Sequence, residues 1–324
     1  MEKNRNSNDT LFSLLRENIT NSSLISVKKN TVSNLLNKTR IDEPSLNHVL
    51  KERIEKLESL LDFYSELHQQ SRHHAKIETL SHISRSEFYD NYYFQNRPVI
   101  LKNMLKNSEA LKKWSPDYFG KKFCNAPLTV SLNRDNYVEY EKNFQQTVKN
   151  ITMGEYLKLL SKNPRSNDFY IVAKNYFFDN PYYQSLRKDI VPPTEIIDSE
   201  YTGKGTMKLW FGPEGTITPL HHDKHSILFA QIYGNKHFKM IPSFEITKIY
   251  NEDRYYSPVN PENINKEKYP EFLNASVADV FLGPGDMLFI PAGWWHWVKS
   301  LNISMSVTFS NFYVKDHNTV WKCK

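Results

Sequence analysis

The pattern His-x-Asp, followed much later by a second histidine, constrains this fold more than any other feature of the chain. It is formed by His221, Asp223 and, at the end of a Pro-Ala-Gly-Trp-Trp-His run, His296. In a β-strand, residues i and i+2 point to the same face, so His221 and Asp223 can hold one ion while His222 faces away. His296 must then arrive from another strand, which predicts a β-sheet scaffold. Two imidazoles and one carboxylate leave half of an octahedral iron(II) open.

The residues before His296 predict two short strands joined by a tight turn. Residues 280–282 are apolar, residues 283–286 read Gly-Pro-Gly-Asp, and residues 287–291 form a second apolar run. His296 is therefore expected on a strand. The other histidines of this region are expected to be surface groups or neighbours of the ligands: His222, His225 and His237.

A lysine lies close in sequence to the proposed ligands. Two predicted strands, residues 227–233 and 236–242, flank a Gly-Asn turn. A hairpin here places Lys236 beside the ligand-bearing strand, where its ammonium can pair with the far carboxylate of a dianionic co-substrate. Thr218 can donate its hydroxyl to the same carboxylate. The alternative for Lys236 is an ordinary edge-strand lysine that resists aggregation.

Several segments of the chain resemble the JmjC-domain hydroxylases. The three most specific are residues 218–223 (Thr-Pro-Leu-His-His-Asp), 229–236 (Phe-Ala-Gln-Ile-Tyr-Gly-Asn-Lys) and 290–296 (Ile-Pro-Ala-Gly-Trp-Trp-His). The similarity is to the cupin-like branch that contains the factor-inhibiting-HIF asparaginyl hydroxylase and the arginyl hydroxylases. Residues 83–88, 97–102 and 210–216 extend it, so that it covers about residues 80 to 315.

The resemblance implies a role for each matching position. The three proposed metal ligands match the family's iron ligands, which implies Fe(II) as cofactor with 2-oxoglutarate and O2 as co-substrates. Lys236 matches the lysine that pairs with the distal carboxylate of 2-oxoglutarate, and Thr218 and Tyr170 match hydroxyl groups that reach it. Ile227 and Thr308 stand at or near co-substrate pocket positions where relatives often have asparagine. These departures indicate a substrate unlike that of the named relatives.

Composition and strand spacing predict a mainly β fold with added helices. The 324 residues are 39% hydrophobic and 14% aromatic, which suits one large core and an added module. After residue 205, nearly every segment reads as a short strand or turn, as in a double-stranded β-helix (jelly roll) of cupin type. Residues 247–275 form a long insertion that is expected to shape the mouth of the site. We place an N-terminal helical region at residues 1–78 and the JmjC/cupin-like catalytic domain at residues 79–324.

The N-terminal region is expected to contain two amphipathic helices. A short one covers residues 10–15, and a longer one begins near Pro44, which the first helical turn tolerates. Apolar residues of the longer helix fall on one face at spacings of four and three: Leu50, Ile54, Leu57, Leu61 and Tyr64. This face packs on the rest of the chain, or it serves substrate docking or homodimer formation.

The predicted reaction is hydroxylation of an unactivated C–H bond in a peptide or protein side chain, with succinate and CO2 as co-products. Alternatives are hydroxylation of a free amino acid or natural-product intermediate, and a non-catalytic cupin-like binding module. Trp210 and Trp295 are expected to contact substrate, although Trp295 could equally fill the core. Histone demethylation is not favoured, because no methyl-lysine cage can be recognised.

Charge and cysteine content limit which partners and which cellular compartment are expected. The formal charge of +6 is modest and the lysines are scattered, so a nucleic-acid partner is not expected. Cys124 and Cys323 offer neither a disulfide framework nor zinc spacing. No signal-peptide core begins the sequence, and no run approaches the ~20 apolar residues that span a bilayer. A cytoplasmic protein without a membrane partner is expected.

Overall fold

The computed structural model describes residues 43–137, 139–251 and 255–321. Within them, the chain divides between Tyr64 and Ser65 into two compact units. The predicted division at residue 78 stays a prediction. None of the described helices is long and apolar enough to cross a membrane.

The described residues contain thirteen strands and six α-helices. The strands are β1 (Glu78–Leu80), β2 (Val99–Leu101), β3 (Pro127–Leu132), β4 (Val148–Thr152), β5 (Phe169–Tyr170), β6 (Met207–Gly212), β7 (Ile217–His222), β8 (Ile227–Tyr233), β9 (Lys236–Ile241), β10 (Ala278–Leu282), β11 (Met287–Ile290), β12 (Trp295–Ser300) and β13 (Ser304–Phe309). The helices are α1 (Glu43–Gln70), α2 (Arg85–Phe88), α3 (Ala110–Lys113), α4 (Pro116–Phe123), α5 (Phe144–Thr147) and α6 (Met153–Lys162).

Two facing sheets confirm the predicted jelly roll. One has six strands in the order β1-β2-β11-β8-β13-β6, and the other has four in the order β10-β9-β12-β7. A small third sheet has the order β4-β3-β5. Side chains from both large sheets, including Phe229 of β8 and Phe238 of β9, pack together between them. The fold is therefore mainly β with added helices, as expected.

Each large sheet also buries part of its outer face. The six-stranded sheet packs against the helical segments between residues 83 and 197, with Phe88 and Phe119 fully buried. The four-stranded sheet packs against the insertion after β9, where Trp295 and Trp297 meet Ile249 and Phe272. β8 and β11 are covered on both sides, which explains their nearly continuous apolar sequences, whereas the outward side chains of β10 are exposed.

Local sequence signals account for the helices outside the sheets. Ser84 and Thr152 each form a capping box with the glutamate three residues later, at the starts of α2 and α6. Ser115 caps α4, which has proline in its first turn.

The long helix α1 confirms the second predicted N-terminal helix, whereas residues 10–15 lie outside the described residues. Much of the apolar face of α1 is exposed to solvent: the residue Ile54 is 54% accessible and Leu57 is 55% accessible. Homodimer formation through this face stays a prediction.

The predicted hairpin of β8 and β9 is wrong. β8 pairs with β11 and β13 in the six-stranded sheet, whereas β9 pairs with β10 and β12 in the four-stranded sheet. The Gly-Asn turn therefore crosses from one sheet to the other. The buried Gln231 side chain donates to the carbonyls of Tyr233 and Gly234 and accepts from Ser306, which fixes the crossing. A nearly fully buried strand such as β8 needs two strand partners, and β11 and β13 supply them.

We predict that Gly234→Ala destabilises the protein by at least about 2 kcal/mol, because backbone strain at a positive φ and a steric collision add. Gly234 has a φ of 69°, and a Cβ there would collide with the backbone oxygen of Ile303. Gly283→Ala is the control, since a Cβ at Gly283 meets two side-chain oxygens, of Asn235 at 3.2 Å and of Asp286 at 3.8 Å, and no backbone atom. Urea unfolding of both variants measures the difference, and equal losses would contradict the prediction.

Candidate active site

The three predicted metal ligands converge between the two large sheets. One ligand atom from each of His221, Asp223 and His296 lies within 4.8 Å of the others. β12 runs antiparallel to β7 and places His296 directly opposite His221. The His296 Nε2 lies 3.8 Å from the Asp223 Oδ2, and the two imidazole centroids are 4.1 Å apart. The predicted second strand, which carries His296, is therefore β12.

Both imidazoles are oriented for metal binding. The Nδ1 of His221 lies 2.8 Å from the Pro219 carbonyl, and the Nδ1 of His296 lies 3.0 Å from the Trp294 carbonyl. An Nδ1–H that donates to a carbonyl leaves the Nε2 lone pair free for a metal. Burial, and next the neighbouring His221, lower the pKa of His296 to about 3, so the neutral metal-binding form prevails. The donor set fits iron(II).

A β-bulge brings Thr218 into the same site. Residues three apart in a regular strand point to opposite faces, yet Thr218 and His221 both line the cavity. The register between β7 and β12 shifts between His296 and Val298, so that Pro219 and Leu220 together oppose Trp297. This extra residue turns Leu220 toward the outer core and keeps Thr218 on the ligand face.

Lys236 is buried without a charged partner. Its side chain is 1% exposed on β9, an interior strand, so the edge-lysine alternative is wrong. The Nζ donates to the Tyr170 hydroxyl at 2.8 Å, and no carboxylate among the described residues pairs with it. Burial lowers the pKa of Lys236 to about 7 and raises that of Tyr170. A buried ammonium without a counter-ion is unfavourable alone and favours an anionic ligand.

A cavity of about 420 Å³ contains both the ligand cluster and the Lys236 ammonium. Tyr170 and Thr218 line it beside Lys236, as predicted. Ile227 and Thr308 line it as well, from the opposite sheet. These two positions contribute an apolar and a hydroxyl-bearing side chain to the cavity.

The structure separates the two tryptophans that were expected to contact substrate. Trp210 lines the cavity, and its indole N–H is buried without a hydrogen-bond partner in the described residues. Trp295 is fully buried on the other face of β12, where its ring lies 4.7 Å from that of His222. Neighbouring residues of a strand point to opposite faces, so the strand that turns His296 inward turns Trp295 outward. Trp295 belongs to the outer core and does not line the cavity.

The other histidines lie outside the ligand cluster, as expected. His222 packs behind the sheet, His225 stands exposed at the cavity, and His237 bonds Asp279 on the outer face. Tyr256, from the long insertion, lies over His221 with 5.7 Å between the ring centroids. The insertion therefore shapes the mouth of the cavity.

Sequence reasoning missed a second group of cavity residues, which come from loops and from the segment after β13. They are Glu141, Tyr201, Asp316, His317 and Asn318. Tyr201 and His317 stack with 3.6 Å between their ring centroids. No periodicity or motif marks these residues, because long-range contacts position them.

Comparison with known proteins agrees with this geometry. Residues 85–318 match the family model for the cupin-like domain. The chain is 32% identical over 248 residues to "Lysine-specific demethylase JMJ30" of Arabidopsis thaliana, which is 72% of this chain and 54% of that protein. It is 30% identical over 231 residues to "Lysine-specific demethylase 8" of Xenopus tropicalis (70% of this chain, 50% of that protein).

The name of a third relative gives hydroxylase and peptidase activities instead of demethylase activity. The chain is 24% identical over 251 residues to "Bifunctional peptidase and (3S)-lysyl hydroxylase JMJD7" of Homo sapiens, which is 68% of this chain and 79% of that protein. The chain spans about half the length of the first two relatives. Fe(II), 2-oxoglutarate and O2, the expected cofactor and co-substrates, agree with these JmjC relatives and with the ligand cluster. The similarity to the asparaginyl and arginyl hydroxylase branch stays a prediction. The chain belongs to the cupin-like domain family, within its JmjC group.

Proposed function

We propose that this protein is a Fe(II)- and 2-oxoglutarate-dependent oxygenase that hydroxylates a C–H bond in a peptide or protein side chain. One observation carries the proposal. The His221, Asp223 and His296 cluster shares a cavity with Lys236, a buried ammonium that has no counter-ion among the described residues. A binding module without catalysis gives no reason for both features to occur together.

Different cavity residues bind the metal and the co-substrate. His221, Asp223 and His296 hold the metal, and Lys236 with the Tyr170 hydroxyl and Thr218 receives the far carboxylate of 2-oxoglutarate. Iron(II) bound there would couple oxidative decarboxylation of 2-oxoglutarate to succinate and CO2 with insertion of one oxygen atom into a substrate C–H bond. Apolar side chains on the remaining wall keep water away from the reacting groups: Phe229, Phe238, Ile290 and Val298.

A second depression supports a polypeptide substrate over a free amino acid. It has a volume of about 290 Å³ and meets the main cavity at Glu141 and Tyr256, which line both. Its floor includes Pro219 and Leu220 of β7, the strand that carries His221. A free amino acid leaves this depression empty, whereas residues next to the target in a peptide have a surface to contact.

Demethylation is a second candidate, because two of the relatives are named lysine-specific demethylases. Hydroxylation of an N-methyl group gives a product that loses formaldehyde, so the same site can serve either outcome. Incubation with peptide libraries that contain lysine, arginine or their methylated forms separates the two. Hydroxylation adds one oxygen mass to an unmethylated peptide, whereas demethylation releases formaldehyde from a methylated one.

We predict that Asp223→Ala abolishes succinate formation, because one of three ligands to the metal is removed. Asp279→Ala is the matched control, since Asp279 lies on the outer face with His237 and Lys239. Conversion of 2-oxoglutarate to succinate is followed by mass spectrometry with added Fe(II). Activity that survives Asp223→Ala would refute the iron assignment.

We predict that Lys236→Ala weakens 2-oxoglutarate binding by about 30-fold or more while metal affinity stays nearly unchanged. The variant removes the charge that pairs with the far carboxylate and leaves the three metal ligands intact. Lys239→Ala is the control, because Lys239 is two residues along β9 and bonds Asp279. Calorimetric titration of Mn(II) into the metal-free protein measures the metal affinity, and titration of 2-oxoglutarate into the Mn(II)-loaded protein measures the co-substrate affinity. An unchanged 2-oxoglutarate affinity would rule out this role.

We predict that 2-oxoglutarate binding weakens as pH rises above 7. In the free site the pKa of Lys236 is about 7, so the neutral amine predominates above that pH. The carboxylate requires the ammonium form, so binding takes up a proton and the dissociation constant rises by up to about tenfold per pH unit. Below pH 7 the lysine is already charged and the affinity levels off. Titrations between pH 6 and 9 test this, and Lys236→Ala should lack the effect.

A further inference from the structure

The segment after β13 crosses the end of the cavity where Asp223 stands. It contacts residues 224–226, the loop that follows this ligand. The backbone N–H of Trp321 donates to the Lys224 carbonyl at 2.6 Å, and Val320 forms an antiparallel bridge with His225. Nothing in the proposed function uses these contacts.

Asn318 is the most fully bonded side chain of this segment. Its amide nitrogen donates to the carbonyls of Ser226 and Ser310, both at 2.8 Å. Its amide oxygen accepts from the Ser226 N–H and from the Tyr93 hydroxyl, both at 3.2 Å. Carbonyls can only accept, so these partners also fix which end of the amide is nitrogen. Ser226 is thus held through both of its backbone groups, as a strand partner would hold it.

The same segment supports the turn that precedes His296. The Trp321 ring lies on Gly293, where a Cβ would collide with it. The Gly293 N–H donates to the Asp223 carbonyl at 3.1 Å, and the Ala292 N–H donates to the Ser226 hydroxyl at 3.1 Å. The ligand loop, this turn and the segment after β13 therefore form one connected network.

Asp223 depends on this network more than the other two ligands do. His221 and His296 belong to paired strands, and each has a carbonyl beside its Nδ1. Asp223 lies one residue past the end of β7, its side chain is 42% exposed, and no hydrogen bond holds its carboxylate among the described residues. Its position is set by the backbone of its own loop.

We propose that Asn318 is a positioning residue for the metal ligand Asp223, and that Trp321 supports it by covering Gly293. The proposal rests on the proposed function for the identity of the metal. Neither side chain is assigned a contact with the metal. Loss of a group that orients a metal ligand lowers metal affinity by about 10- to 100-fold, and this is the effect expected here.

The test uses Co(II) as the probe, because its visible spectrum reports ligand geometry without oxygen chemistry. The full chain carries Asn318→Ala, and the control carries Asn311→Ala. Asn311 is equally buried and donates to the carbonyls of Asp198 and Tyr201, but no hydrogen bond joins it to residues 223–226. Co(II) affinity and thermal unfolding without metal are measured for both variants.

Asn318→Ala should weaken Co(II) binding by about 10- to 100-fold and change its spectrum, whereas Asn311→Ala leaves both near the wild-type values at a similar loss of stability. Trp321→Ala should act in the same direction and Trp321→Phe should restore affinity. These two variants serve as the test if Asn318→Ala does not fold. Equal Co(II) affinities for Asn318→Ala and the wild type, or equal losses for both asparagine variants, would overturn the proposal.

The outcomes also separate this inference from the proposed function. Weaker Co(II) binding by Asn318→Ala in a protein that never forms succinate supports the positioning role and removes the oxygenase proposal. Normal Co(II) binding by Asn318→Ala, with loss of binding in Asp223→Ala, removes the positioning role alone. A wild-type protein that takes up no Co(II) overturns both.

Discussion

The antiparallel pairing of β7 with β12 is the interaction on which the site depends. It sets His221 opposite His296, so two imidazoles from distant parts of the chain face each other at ligand distance. The pairing is enforced from behind, because Leu220 of β7 and Trp295 of β12 are buried in the outer core. A one-residue slip of either strand would turn its histidine out of the cavity and its apolar side chain into it. Burial of the outer core therefore specifies the metal site.

The second constraint is the turn that crosses from the six-stranded to the four-stranded sheet. It carries Lys236 from one wall of the jelly roll to the other and leaves its ammonium buried beside Tyr170. Isolation of this charge is unfavourable for the empty protein, as the low pKa of the lysine shows. An anionic ligand offsets that cost on binding. The fold thus holds a cationic group in place in the cavity, as the proposed carboxylate-binding role requires.

Much of this site follows from the sequence because its key signals are local. His221 and Asp223 are two residues apart, and His296 ends a recognisable turn, so their chemistry could be predicted without a fold. Trp295 was left open between substrate contact and the core, although strand alternation next to His296 already points it outward. Thr218 was predicted from its sequence position and from the resemblance, but only the bulge in β7 explains how it shares a face with His221. The sheet crossing after β8 was missed, because a Gly-Asn turn suits a hairpin equally well.

Residues such as Asn318 could not have been found in the sequence, because their role comes from contacts across the fold. The two imidazoles are held by strands, whose geometry the apolar pattern dictates. The Asp223 carboxylate is held by a loop, whose geometry depends on residues distant in sequence. Asn318 is one of them, and it is itself hydrogen-bonded to Tyr93, before β2, and to Ser310, after β13. A metal site built in this way has two rigid ligands and one that the surrounding network positions. A facial triad binds its metal well only when all three ligands are in place at once. The Asp223 carboxylate, which a loop carries, is therefore the ligand most sensitive to changes in its surroundings.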